Sequence, residues 1–212
     1  IAAAGVPVAA PSGNTSGRPS PTNMEDMLED MDGKIDGIVD GGPCAVGVES
    51  TIIDLTLTPP RLLRPGGITL EQLREVLGEV AVDPAVTRLM GEGEKPRAPG
   101  MKYRHYAPKA PVTVVQGAPA AAARYIQDHM APGDGVICFD EYAGLFDGHP
   151  LEQLGPSTDV PEQARRVFDA LRWFDGTDVQ QIWAQCPEAA GIGLAVANRL
   201  NKAAGFHIVQ AE

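Results

Sequence analysis

Cysteine is scarce. Cys44, Cys138 and Cys186 are odd in number, widely spaced and outside any Cys-x-x-Cys or Cys/His pattern, which argues against a disulfide framework and a zinc site. A reducing cytoplasm is the expected setting. Long apolar runs are missing too, and none approaches the roughly 20 residues a membrane span needs. The opening residues 1–10 lack a basic flank and are broken by Pro7, so they do not read as a signal peptide, and no membrane association is expected. Cations are outnumbered: 17 Lys and Arg stand against 28 Asp and Glu, a net charge of −11. Binding along a nucleic acid needs clustered Lys and Arg, so no direct nucleic-acid contact is expected. The one basic cluster, Arg97, Lys102, Arg104 and Lys109, is short and suits a grip on a single nucleotide. Nor is there a Ser-His-Asp or Cys-His arrangement for covalent catalysis. His129, His149 and His207 fall late in the chain and read as ordinary surface or core histidines.

What the chain does have is 43% hydrophobic residues, ample for the cores of one or two domains. It also has a polar loop at residues 11–23, Pro-Ser-Gly-Asn-Thr-Ser-Gly-Arg-Pro-Ser-Pro-Thr-Asn, between a short apolar run and a helix start. Gly13 and Gly17 permit positive φ, so backbone N–H groups can converge on an anion. Ser12, Asn14, Ser16 and Ser20 add neutral donors, and Arg18 adds a charge. The plain alternative is a polar surface turn with a good helix cap.

Along the first half, residues 6–10 read as a strand end and residues 22–31 as a short amphipathic helix opened by a Thr22-x-x-Glu25 capping box, with Met24, Met27, Leu28 and Met31 packing inward. Residues 35–39, 47–48 and 51–57 read as strands, broken by the turn signal Asp40-Gly41-Gly42-Pro43. A short strand ends at Arg64, and a second helix runs from Leu70 to about Leu77, capped by Thr69-x-x-Gln72 and stopped by Gly78. Residues 83–110 are rich in Gly and Pro but crowd Tyr103, His105 and Tyr106 with two cations, a combination able to stack on a base and touch phosphate. A packed interdomain strand is the alternative there.

From Val112 strands and helices alternate: strands at 112–115, 136–139 and 181–184, helices at 118–129, 161–174 and 192–203. That rhythm implies a small, mainly parallel sheet flanked by helices. Gly191 and Gly193 imitate a dinucleotide fingerprint, but Val196 takes the third glycine position and no acidic residue follows at the right distance, so they read as helix-start packing.

Three further blocks accompany the Ser12 loop: Glu49-Ser50-Thr51-Ile52-Ile53-Asp54-Leu55-Thr56, Leu62-Leu63-Arg64-Pro65-Gly66-Gly67-Ile68, and the stretch from Pro99 through Met101, Lys102, Tyr103, Arg104, His105 and Tyr106 to Pro108. In order and spacing the set resembles the threonylcarbamoyl-AMP synthases (L-threonylcarbamoyladenylate synthases) of the long, two-domain type. The resemblance implies an α/β fold: the C-terminal part of a YrdC-like twisted-sheet catalytic domain over residues 1–90, a linker or lid over 91–110, and a small Rossmann-like domain over 111–212. It implies condensation of L-threonine, bicarbonate and ATP with release of pyrophosphate, Mg2+ arriving with the ATP, and a product passed to a tRNA-modifying transferase. Residue by residue, it places ATP at Ser12, Asn14, Ser20, Arg64, Tyr103 and His105, and threonine at Ala10 and Ser50. Arg64 is the catalytic candidate, its planar fork gripping phosphate oxygens; a surface ion pair is its alternative. Members of the family carry a Lys-x-Arg triphosphate grip ahead of the first block. Lys95-Pro96-Arg97 and Lys102-Tyr103-Arg104 share its spacing but lie in or beside the linker. The chain is therefore read as a C-terminal piece of such a protein, holding about half of the pocket. The competing functional reading is a non-catalytic nucleotide- or anion-binding or regulatory module.

Overall fold

A computed structural model of the protein describes residues 1–15, 17–91, 93–94, 96–98, 101 and 106–212. In the first half, helix α1 (Met24–Met31) is followed by strands β1 (Ile52–Asp54) and β2 (Arg61–Arg64), helix α2 (Leu70–Leu77) and strand β3 (Ala81–Val82). The three strands form one sheet in the order β1-β2-β3, with β1 antiparallel and β3 parallel to β2. The capping box on α2 forms as the sequence predicts: Thr69 accepts from the Gln72 amide, and the Gln72 side chain accepts from the Thr69 amide.

The start of α1 departs from expectation. Its N-cap is Asn23, which accepts from the Asp26 amide, because the Thr22 hydroxyl is taken by Asp169 at 2.8 Å. Its Met side chains are only half-buried, Leu28 is exposed, and the buried residue of the helix is Asp30. Residues 6–10, 35–39 and 47–48 form no strands. Their apolar pattern finds no ladder partner among the described residues, and a strand without a partner leaves its backbone groups to water.

In the second half, strands β4 (Val112–Gln116), β5 (Gly135–Cys138), β6 (Leu151–Gln153), β7 (Ile182–Gln185) and β8 (Ile208–Gln210) alternate with helices α3 (Pro119–His129), α4 (Val160–Trp173) and α5 (Gly193–Ala203). The sheet order is β6-β5-β7-β4-β8, and each pairing is parallel. The fully buried runs Val112–Val115 and Gly135–Cys138 are what a sheet covered on both faces requires. On α4, Ala164, Val167, Phe168 and Leu171 recur at helical spacing and are fully buried. They meet Val196, Leu200 and Ala203 of α5 in the larger core. Gly193 is a packing glycine, as expected: a Cβ there would collide with the Glu188 carbonyl.

Helix α5 is buried on nearly every side, including Asn198, Arg199, Asn201 and Lys202. Buried polar groups must be satisfied by partners. Those of Asn198 and Arg199 come from the first half of the chain.

Candidate functional site

The antiparallel pairing of β1 with β2 builds the centre of the site. Ile52 opposes Arg64 and Ile53 opposes Leu62, with an irregularity between Ile52 and Ile53. This register lays the residues before β1 against those after β2. Arg64 Nε donates to the Ser50 carbonyl at 3.0 Å, and one Nη donates to Ser50 Oγ at 3.2 Å. Thr51 Oγ1 donates to the Ile68 carbonyl at 2.6 Å and accepts from the Ile68 amide at 3.1 Å. Gly66 makes the crossing possible, since a Cβ there would strike the Glu49 carbonyl and the Thr51 amide. Among the described residues no carboxylate pairs with Arg64, whose side-chain hydrogen bonds go to Ser50.

Glu49 ties the polar loop to this centre. Its carboxylate accepts from Ser20 Oγ at 3.0 Å and from Arg199 of α5 at 2.9 and 2.8 Å. The Tyr106 hydroxyl also donates to it. Burial alone would raise the Glu49 carboxyl, but the Arg199 guanidinium and the surrounding hydrogen bonds hold it below the usual carboxylate range. Tyr106, 2% exposed and at φ +64°, packs its ring 5.2 Å from Phe168, and its amide donates to the Gly17 carbonyl. Burial first, then the Glu49 charge, pushes its hydroxyl up to about 12. This tyrosine, which the sequence marks only as part of a cluster, joins the linker, the loop and both halves of the chain.

A second network holds the other side of the loop. Asp30 accepts from Arg18 at 2.9 Å, from Arg172 of α4 at 2.6 Å and from the Thr15 amide at 3.1 Å. Arg172 also donates to the Pro19 carbonyl at 2.6 Å, next to Ser20. Arg18 also pairs with Glu29 and Asp175. That corrects the view of Arg18 as a charge offered to an anion: three carboxylates claim it, because the loop folds back onto α1. Asn14 likewise serves the loop itself, donating to the Thr15 and Arg18 carbonyls at 3.1 and 3.2 Å.

Of the expected site residues, Ser20, Ser50 and Arg64 come together through Glu49. Ala10 and Ser12 lie exposed on the same loop, with no hydrogen bond to Ser50 or Arg64 among the described residues. Tyr103 and His105 lie outside the described residues, as do Ser16, Lys102 and Arg104. Arg199 and Lys202 were not foreseen. Lys202 is 5% exposed, and burial together with the nearby Arg199 and Arg64 guanidinium groups pushes its ammonium down to about 8. A run of Asn198, Arg199, Asn201 and Lys202 on an otherwise apolar helix was the available signal: four polar side chains on one buried helix demand an external partner.

The arrangement defines a class: a two-part α/β protein in which a strand-end serine and arginine and a glycine-bearing polar loop are clamped by arginines from a parallel-sheet unit. Residues 68–205 match the family model described as threonylcarbamoyl-AMP synthase, C-terminal domain, and residues 1–66 match one described as telomere recombination. The chain belongs to the threonylcarbamoyl-AMP synthase family. It is 44% identical over 212 residues to the threonylcarbamoyl-AMP synthase of Bacillus subtilis, covering 99% of this chain and 60% of that protein. It is 47% identical over 210 residues to that of Pyrococcus abyssi, covering 96% of this chain and 59% of that protein. A crystal structure of P. abyssi Sua5 complexed with L-threonine aligns with a TM-score of 0.84 at 44% identity, over 95% of this chain and 59% of that one. The chain thus spans about 60% of the length of the relatives it matches.

Proposed function

We propose that the protein makes threonylcarbamoyl-AMP from L-threonine, bicarbonate and ATP, as a nucleotidyltransferase acting in the cytoplasm. The threonine amine takes up bicarbonate with loss of water to give a carbamate. A carbamate oxygen then attacks the α-phosphorus of ATP, and pyrophosphate leaves with the bonding electrons of the broken P–O bond. Such a transfer asks the protein for positioning and for stabilisation of charge on phosphoryl oxygens, with no covalent intermediate on a side chain.

The observation that carries this reading is the Arg64–Ser50 pair. Arg64 spends one edge of its fork on Ser50, which leaves other N–H groups to meet phosphate oxygens, and the same bond fixes Ser50, the proposed threonine contact. Ser12 and Ser20, with Asn14 shaping the loop, are proposed to meet the nucleotide; Ala10 offers its backbone to threonine; Tyr103 and His105 are proposed to reach the nucleotide from the linker. Mg2+ is proposed to arrive with the ATP it accompanies and is counted as part of the substrate. The product is proposed to pass to a tRNA-modifying transferase. No described helix is long and apolar enough to cross a membrane.

The test is pyrophosphate release from ATP by the protein at the full length of its relatives, with threonine and bicarbonate omitted in turn. Release is expected only with both present. Equal release without threonine would overturn the reading.

A further inference from the structure

We infer that Arg199, on helix α5 of the parallel-sheet unit, is a positioning residue that sets the geometry of the Ser50–Arg64 pair from outside it. Its side chain is fully buried and reaches into the first half of the chain. Nε and one Nη donate to the Glu49 carboxylate at 2.9 and 2.8 Å, that Nη also meets the Glu49 carbonyl at 3.4 Å, and the other Nη donates to the Pro65 carbonyl at 2.7 Å. Glu49 precedes Ser50 and Pro65 follows Arg64. One planar guanidinium therefore fixes the main chain on both sides of the pair. Through Glu49 Oε1 it also orders Ser20, at 3.0 Å. Tyr106 lies over the same group, with its ring centroid 5.9 Å from the Arg199 guanidinium carbon.

The shape of the group matters as much as its charge. A planar fork can hold two carbonyls and a carboxylate at fixed angles, whereas an ammonium is a point charge. The position of α5 is in turn set by the apolar core it shares with α4. The parallel-sheet unit thus acts on the pocket through a side chain that touches no reacting atom. This inference rests on the reading of Ser50 and Arg64 as threonine and phosphate contacts, but its structural half can be tested without any ligand.

The test compares Arg199→Lys with Asp169→Ala. Asp169 accepts from Thr22 at 2.8 Å and Asn23 at 3.3 Å, at the helix end of the polar loop, so its loss loosens the contact between the two halves without touching Glu49, Ser50 or Arg64. In amide NMR spectra of the empty protein, Arg199→Lys is expected to shift or broaden Ser50, Thr51, Gly66 and Gly67, while Asp169→Ala leaves them in place. In calorimetry with L-threonine in the presence of ATP, Arg199→Lys is expected to weaken threonine by about tenfold or more, and Asp169→Ala to leave it within about twofold. Unmoved amides in Arg199→Lys would overturn the inference, as would an equal affinity loss in Asp169→Ala, which would mark a general docking effect. Moved amides in a protein whose unaltered form binds no threonine would uphold the positioning and sink the reading of the pocket. If Arg199→Lys does not fold, Glu49→Gln carries the same comparison, since it removes the ion pair and leaves the Pro65 contact.

Discussion

At the scale of single residues, the site is governed by carboxylates whose environments pull in opposite directions. Asp30 is buried and Glu49 half-buried, and desolvation alone would raise both, yet hydrogen bonds and the charges of Arg199, Arg172 and Arg18 hold them below their ordinary values. Asp26 is different. Burial raises it to about 6 against the pull of Arg172, and a hydrogen bond to Asp169 and that residue's charge add to the rise. The signs give opposite pH dependences. A carboxyl raised on folding takes up protons in the native state first, so Asp26 should stabilise the fold as pH falls from about 7 to about 5. Carboxyls lowered on folding contribute stability above their unfolded values and lose it as pH falls below about 4. The thermal midpoint is therefore expected to rise on mild acidification and then drop, and Asp26→Asn should remove the rise. A midpoint that falls steadily from pH 7 would contradict this assignment. Ser20, Ser50 and Arg64 were marked through the resemblance of their blocks to the family. The sequence could not reveal that Glu49, between Val48 and Ser50, bonds an arginine 150 positions away. Arg18 misled for the same reason, since its carboxylate partners are brought to it only by the folding of α1 and α4.

At the scale of elements, local signals succeeded where no distant group competed. The Thr69–Gln72 box at α2 formed as read, and Thr69→Ala is expected to lower stability by about 1 kcal/mol, measurable by urea denaturation. A loss near zero would mean that the cap contributes little in this context. The Thr22-x-x-Glu25 pattern looked equally good and failed, because Asp169 on α4 offers the Thr22 hydroxyl a charged acceptor and leaves Asn23 to cap the helix. Strands β6 and β8, three residues each, were not foreseen: three residues carry too little alternation to register. They exist because β5 and β4 offer open edges, where Leu151 meets Val136 and Ile208 meets Val114. The longer helices α3, α4 and α5 were legible to within one residue at either end, since their apolar spacing persists over three or more turns.

At the scale of the whole molecule, two arginine clamps join the two units. Arg172 on α4 holds Asp30 and the Pro19 carbonyl, and Arg199 on α5 holds Glu49 and the Pro65 carbonyl. Breaking a buried ion pair by removing one partner costs about 3–5 kcal/mol, far more than an exposed pair, so the clamps belong to the stability of the whole and not to the surface. Their targets flank the proposed nucleotide loop and the Ser50–Arg64 pair, which places pocket geometry under the control of the second unit. The proposed reaction joins threonine, bicarbonate and ATP. Mass spectrometry of a reaction fed 13C-labelled bicarbonate tests it most directly. One labelled product that contains both threonine and AMP is expected, formed only when all three substrates are present and reduced strongly by Arg64→Ala. Pyrophosphate release with no labelled threonylcarbamoyl adenylate, or a labelled product undiminished by Arg64→Ala, would contradict it.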